Sequence, residues 1–201
     1  MIQSRFTASL SLRTIATMNI HPDNMKALSA FAAPAADFCA LIDSLQDGKP
    51  DHLYTRLELL LSQLLLFILP VQSESGPQDK SEFDKFDMTS DDWGRIVDIV
   101  GKAMSAELRA VLEEHGGYDA FKPGADPSDQ YEAGRAEMLW NDLADIYREL
   151  RYGLDLWQLG KPESIAEAAW QWRWGYEHHW GQHLLQAMTT IHEIRYRVLA
   201  D

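Results

Sequence analysis

The sequence predicts an all-α fold, an irregular up-and-down helical bundle of about five to six helices. Three observations carry that prediction. Apolar residues recur at the helical period nearly throughout, runs of alternating β-branched residues are missing, and Pro or Gly clusters interrupt the pattern at helix-length intervals. Of 201 residues, 46% are hydrophobic and 24% charged, which excludes collagenous, low-complexity and wholly disordered chains. A globule of this size hides roughly 70% of its unfolded surface, so a real core is expected.

Residues 1–22 contain Arg5 and Arg13 but no acid, whereas all 31 acidic residues follow them. We read 1–22 as an N-terminal extension outside the domain, with Met18 the expected start, and 23–201 as a single helical domain. The first helix is expected from about Pro22 to Leu45. Its stripe is Met25, Leu28, Phe31, Ala35, Phe38, Ile42 and Leu45; Pro34 is expected to kink or split it, and Gly48-Lys49-Pro50 to end it. Asp51 is the expected cap of a second helix reaching Leu69 and closed by Pro70. Its apolar run, Leu57 to Leu69, is broken by Glu58, Ser62 and Gln63 and falls short of the ~20 residues a bilayer requires, so it reads as a buried helix.

Residues 71–88 lack periodicity and read as a long acidic loop. Thr89 or Ser90 opens the third helix, which runs to Glu114; a Pro/Gly-rich connection from His115 to Ser128 follows. The fourth helix is expected from near Asp129 to Gly160, with Leu139, Leu143, Ile146, Leu150, Leu154 and Trp157 inward. After the Lys161-Pro162 turn, Glu163 or Ser164 opens one last helix to about Leu199. Ile165, Ala169, Tyr176, Trp180, Leu184, Ala187, Ile191, Ile194 and Val198 form its inner face. Short turns make neighbouring helices antiparallel.

Lys and Arg number 18 against 31 acids, a formal net charge of -13, and that field repels nucleic acid and anionic membrane surfaces alike. Cys39 is the only cysteine, so no intramolecular disulfide exists; within Phe38-Cys39-Ala40-Leu41 it reads as a small buried hydrophobe. The cytoplasm is the expected compartment.

Asp142, Asp145 and Glu149 fall on one ribbon of the fourth helix, continued by Tyr152, with Arg148 and Arg151 at hand to pair with them. Arg173 projects onto the inner face of the last helix, where an unpaired charge is costly, so Asp142 or Asp145 is its expected partner. The resulting polar network comprises Asp142, Asp145, Arg148, Glu149, Arg173, Glu177, His179 and His183. His179 and His183 have the four-residue spacing that aims two imidazoles from one helical face, but His-Trp-Gly-Gln-His lacks the internal Glu of zinc peptidases. No cofactor is predicted; the alternative is a divalent cation held by Asp142, Asp145, Glu177, His179 and His183. Gly175 and Gly181 suggest close packing of a neighbouring Trp. Trp170 and Trp174 lie off the main stripe and, with Tyr118 and Phe121, form either an aromatic binding surface or a seat for the 118–123 loop.

Several stretches resemble a known family. They are Asn141-Asp142-Leu143-Ala144-Asp145-Ile146-Tyr147-Arg148-Glu149-Leu150, Gly153-Leu154, Trp170-Gln171-Trp172-Arg173, and Glu177-His178-His179-Trp180-Gly181-Gln182-His183. Ala187, Ile191-His192, Phe38-Cys39 and Tyr118-Asp119-Ala120-Phe121-Lys122-Pro123 fit as well. The pattern resembles the bacterial domain-of-unknown-function 5063 family over about residues 25–199, and Trp174-Gly175-Tyr176 stands where a Phe-rich segment is expected. The resemblance implies no assigned activity. Without a complete catalytic motif, the expected function is an interaction or regulatory module that binds another protein, with a homodimer as a reasonable state. The alternative is a divalent-metal-dependent hydrolase working between the fourth and last helices through Asp142, Asp145, Glu149, Glu177, His179 and His183.

Overall fold

The computed structural model describes residues 20–48, 51–73, 82–114 and 127–198; residues 106–114, 127–137, 197 and 198 are described as helix without their side chains. Six α-helices follow in order: α1 Pro22–Ser44, α2 Leu53–Ile68, α3 Ser90–Glu114, α4 Pro127–Gln158, α5 Pro162–His178 and α6 Trp180–Glu193. A 3-10 turn at Asp84–Phe86 precedes α3, and a π turn at Ile194–Val198 extends α6. There is no strand among the described residues.

Helix α1 begins with Pro22 at its first turn, where a missing N–H costs nothing, and the His21 ring accepts from the Asp23 amide. It runs unbroken through the expected Pro34 kink, and Leu28, Phe31, Ala35, Phe38 and Ile42 are fully buried. Among the described helices α1 alone has the length and apolarity to cross a bilayer, and here that apolar face lies in the core. Its start is clasped to the exit of α2, since Asn24 donates to the Gln72 carbonyl at 3.0 Å and accepts from the Gln72 amide at 2.8 Å. Asp51 does not cap α2 as expected. His52 holds the cap position in the left-handed region (φ 56°) and no side chain caps there. Thr89 does cap α3, accepting from the Asp92 amide at 3.1 Å. The expected acidic loop is pinned at both ends by buried Val71 and Phe83, while 74–81 lie outside the described residues.

Helix α4 is the axis of the bundle, packing against α1, α3, α5 and α6. Its predicted stripe is buried from Leu139 through Leu154, with Trp157 half-buried; Tyr147 and Leu156 are buried besides. The cross-brace is aromatic. Trp172 and Trp180, both with no exposed surface, flank Phe31 of α1 at ring-centroid distances of 5.1 and 6.1 Å. Trp172 donates to the Leu150 carbonyl, and Trp180 to the Trp172 carbonyl at 3.1 Å, so neither indole N–H is stranded. Gly153 makes this possible, because a Cβ there would fall inside the Trp172 indole.

The sequence reading placed one continuous helix after Pro162; the chain instead breaks at His179, with φ -145° and ψ -86°. Both glycines that looked out of place serve this break. A Cβ on Gly175 would come within 2.9 Å of Trp180, and one on Gly181 would strike the Tyr176 carbonyl. The start of α5 also differs from expectation: Pro162 is its first residue, and Ser164 donates back to the Lys161 carbonyl rather than capping.

Candidate functional site

The break at His179 turns α6 so that its first two turns lie along α4, and a polar seam forms between them inside the apolar bundle. Asp142 is nearly buried, and its Oδ1 sits 2.7 Å from Nδ1 of His183. The Nε2 on the other side of that imidazole is 3.7 Å from Oδ2 of Asp145. Oδ1 of Asp145 accepts instead from Nε1 of Trp93 on α3 at 3.1 Å and lies 3.5 Å from Arg148. One turn later Glu149 meets Nδ1 of His179 at 3.2 Å and Arg148 at 3.4 Å. The two imidazoles stand edge to face, 4.9 Å apart. The hydrogen bond that His183 donates to Asp142 holds the imidazole proton, raising its pKa above the ordinary histidine range; the Asp145 charge adds to this, while burial and Arg148 oppose it. A donor atom from each of Asp145, His179 and His183 lies within 4.8 Å of the other two.

Six of the eight expected network residues therefore meet: Asp142, Asp145, Arg148, Glu149, His179 and His183. Arg173 and Glu177 do not. Arg173 pairs with Glu177 one turn along at 2.7 Å, and its NH1 donates to the Ile68 and Leu69 carbonyls at 3.3 and 3.2 Å, closing the C-terminus of α2. The expected Arg173 pairing with Asp142 or Asp145 is overturned, because the guanidinium is taken up by Glu177 on its own helix and by the carbonyls that end α2. The same finding removes Glu177 from the expected cation ligands. Tyr152 also leaves the acidic ribbon; burial and the nearby Glu167, Asp87 and Asp84 push its phenol up to about 12.

A second polar network, on the opposite face of α4, went unseen in the sequence. Asp43 of α1 accepts from the Tyr147 hydroxyl at 2.6 Å and from Arg151 at 3.2 Å, and Arg151 also reaches Asp155. Cys39 is buried beside it, its thiol pushed up by burial. Trp93, too, was missed, since nothing in its own segment marks an indole N–H as a partner for a carboxylate fifty residues away.

Along the outside of α5 the rings of Trp170, Trp174 and His178 stack in a row. Centroids are 5.0 and 4.7 Å apart and planes are within 15° of parallel (10° and 14°). His178 is fixed by its Nδ1, 2.9 Å from the Trp174 carbonyl. Trp174 is 42% exposed. Tyr118 and Phe121, the other members of the expected aromatic surface, lie outside the described residues. A cleft of about 830 Å³ opens nearby between Met138, Asp142, Tyr176, Gln182, Leu185 and Thr189, and Asp142 is the single member of the polar seam that lines it.

Fold and seam together define an all-helical protein with a semi-buried histidine–carboxylate cluster. The chain belongs to the DUF5063 family, a domain of unknown function, whose model matches residues 22–197. Its fold is similar to the crystal structure of protein BF1032 from Bacteroides fragilis, with a TM-score of 0.62 and 20% identity over 85% of this chain and 93% of that one. No curated protein matches.

Proposed function

We propose that this protein is an interaction module of the cytoplasm that binds another protein through the outer face of α5. The observation that carries this reading is the stacked row of Trp170, Trp174 and His178. Flat aromatic faces held rigid by one another present large contact area at little entropic expense, and Trp is over-represented among residues that dominate binding energy. A net charge of -13 favours a partner that presents Lys or Arg side chains. A metal-dependent hydrolase is the less economical reading, because the 830 Å³ cleft touches Asp142 but not Asp145, His179 or His183.

The test is site-specific photo-crosslinking from position 174 in living cells, followed by affinity measurement with the purified captured protein. The expected result is one specific basic partner whose affinity falls at least tenfold in a Trp170→Ala, Trp174→Ala double variant of unchanged melting temperature. Capture of a second copy of this chain would make the row a homodimer surface. An unchanged affinity in the double variant would end the proposal.

A further inference from the structure

The polar seam has a feature that simple charge pairing does not require: three side chains that each have a partner of their own also converge on one another, with a donor atom of each within 4.8 Å of the other two. His183 is gripped at Nδ1 by Asp142, at 2.7 Å. Nδ1 of His179 lies 3.2 Å from Oε1 of Glu149. Asp145 is gripped at Oδ1 by the Trp93 indole, at 3.1 Å, and flanked there by Arg148. On the other side of the His183 ring, Nε2 faces Oδ2 of Asp145 at 3.7 Å, and one ring nitrogen of His179 lies within 4.8 Å of a donor atom on each of the two.

A carboxylate on the far nitrogen is the arrangement that orients a metal-binding histidine, because it keeps the proton on Nδ1 and leaves the Nε2 lone pair free. Here it occurs at His183, Glu149 lies beside Nδ1 of His179, and the third member is a carboxylate with one oxygen already occupied. We infer that Asp145, His179 and His183 form a divalent-metal site, with Asp142, Glu149 and Trp93 as its outer support. Two imidazoles and one carboxylate suit a borderline cation of the zinc class rather than calcium or magnesium, which prefer all-oxygen sets. Tetrahedral binding at bonds of about 2.0–2.1 Å sets donors roughly 3.4 Å apart, and the present spacing of up to 4.8 Å closes to that by small side-chain rotations. Three protein ligands leave a coordination position open to water or a ligand.

Three features separate this assignment from the five-residue set expected from spacing. Glu177 is absent, engaged by Arg173 at the end of α2. Asp142 moves from ligand to positioning residue. Arg148, 3.5 Å from Asp145, is a resident cation that a bound metal displaces, so its removal should strengthen binding.

The experiment is titration of the full chain, stripped with a chelator, with ZnSO₄ by calorimetry and with CoCl₂ by visible absorption. One ion per chain is expected, with cobalt d–d bands of a low-coordinate N/O site and release of Co²⁺ by Zn²⁺. His179→Ala, His183→Ala and Asp145→Asn each weaken binding at least 100-fold. Asp142→Asn, which keeps the shape and the fold, weakens it 10–100-fold, while Glu177→Gln leaves it unchanged and Arg148→Gln tightens it. Circular dichroism and melting of each apo variant separate loss of ligand from loss of fold. Absence of stoichiometric binding, or binding that Asp142→Asn and Asp145→Asn leave untouched in folded protein, would refute the assignment. Neither outcome depends on Trp170 or Trp174.

Discussion

Helix α4 carries a polar network on each of two opposite faces, and the two are neutralised in different ways. Toward α1, Asp43 and Asp155 both touch the permanent cation of Arg151, and Asp43 takes the Tyr147 hydroxyl as well. Toward α6, Asp142 is nearly buried and its partner is His183, a group whose charge depends on pH, while Arg148 is spread between Asp145 and Glu149. The first arrangement locks two helices together and asks nothing of the solvent. The second is complete only when something positive enters: a proton on His183 or, as inferred here, a metal ion. A carboxylate at the side of α4 thus has opposite meanings, depending on whether an arginine or a histidine faces it.

The largest expected effect breaks both faces at once. Trp172 sets how α5 and α4 approach, and Trp172→Ala should lower stability by about 3–5 kcal/mol, seen as a large drop in the denaturant midpoint. An equal loss of Trp93–Asp145 and Tyr147–Asp43 contacts by NMR would show that both networks depend on that one packing. Next comes His183→Ala, which leaves the Asp142 carboxylate buried beside an empty space and should cost about 2–3 kcal/mol in metal-free protein near neutral pH. Asp43→Ala removes two bonds from the half-exposed network and should cost about 1–2 kcal/mol, with Tyr147 then titrating closer to ordinary tyrosine.

pH sharpens the comparison further. In chelator-treated protein, Asp142 keeps His183 protonated above its ordinary range. Its contribution is therefore complete below about pH 6.5 and is lost as pH rises through the folded pKa. On the other face, burial and Asp43 hold the Tyr147 proton. The unfolded chain releases that proton near pH 10 and the fold does not, so stability falls from about pH 10 upward. Chemical denaturation across pH 5–11 should show two separate declines, and the lower one should vanish in Asp142→Asn. The smallest effect belongs outside both networks: Trp174→Ala should change stability by less than about 0.5 kcal/mol, since its ring lies on the surface of α5.

Much of this was legible in the residues. Period together with cap and Pro or Gly signals located α1, α2, α3 and α4 to within a few residues. Thr89 was readable as a cap, and the tight spacing around Gly175 was readable as room for a tryptophan. The seam was half legible: Asp142, Asp145 and Glu149 share a ribbon on one helix, and His179 and His183 are four apart. What failed was any inference that crossed from one helix to another. Asp51 at α2 and Ser164 at α5 look like caps, yet the cap positions fall on a left-handed His52 and on Lys161, no side chain caps either helix, and Ser164 donates to the Lys161 carbonyl. Arg173 was assigned a partner on α4, whereas the end of α2 lies beside it.

The sequence by itself determined the all-helical class, the helices' apolar faces and the residue types available for chemistry, because these follow from local period and from what each side chain can donate or accept. Only the tertiary structure decided which of those groups meet. That choice was made at a single junction: the chain bends at His179, where Gly181 admits the Tyr176 carbonyl and Gly175 admits Trp180. The bend brings His179 and His183 onto the carboxylates of α4, while the packing of α5 beside α2 takes Arg173 to the end of that helix. Side-chain partners separated by tens of residues depend on the angle between helices, and no periodicity within one helix encodes that angle.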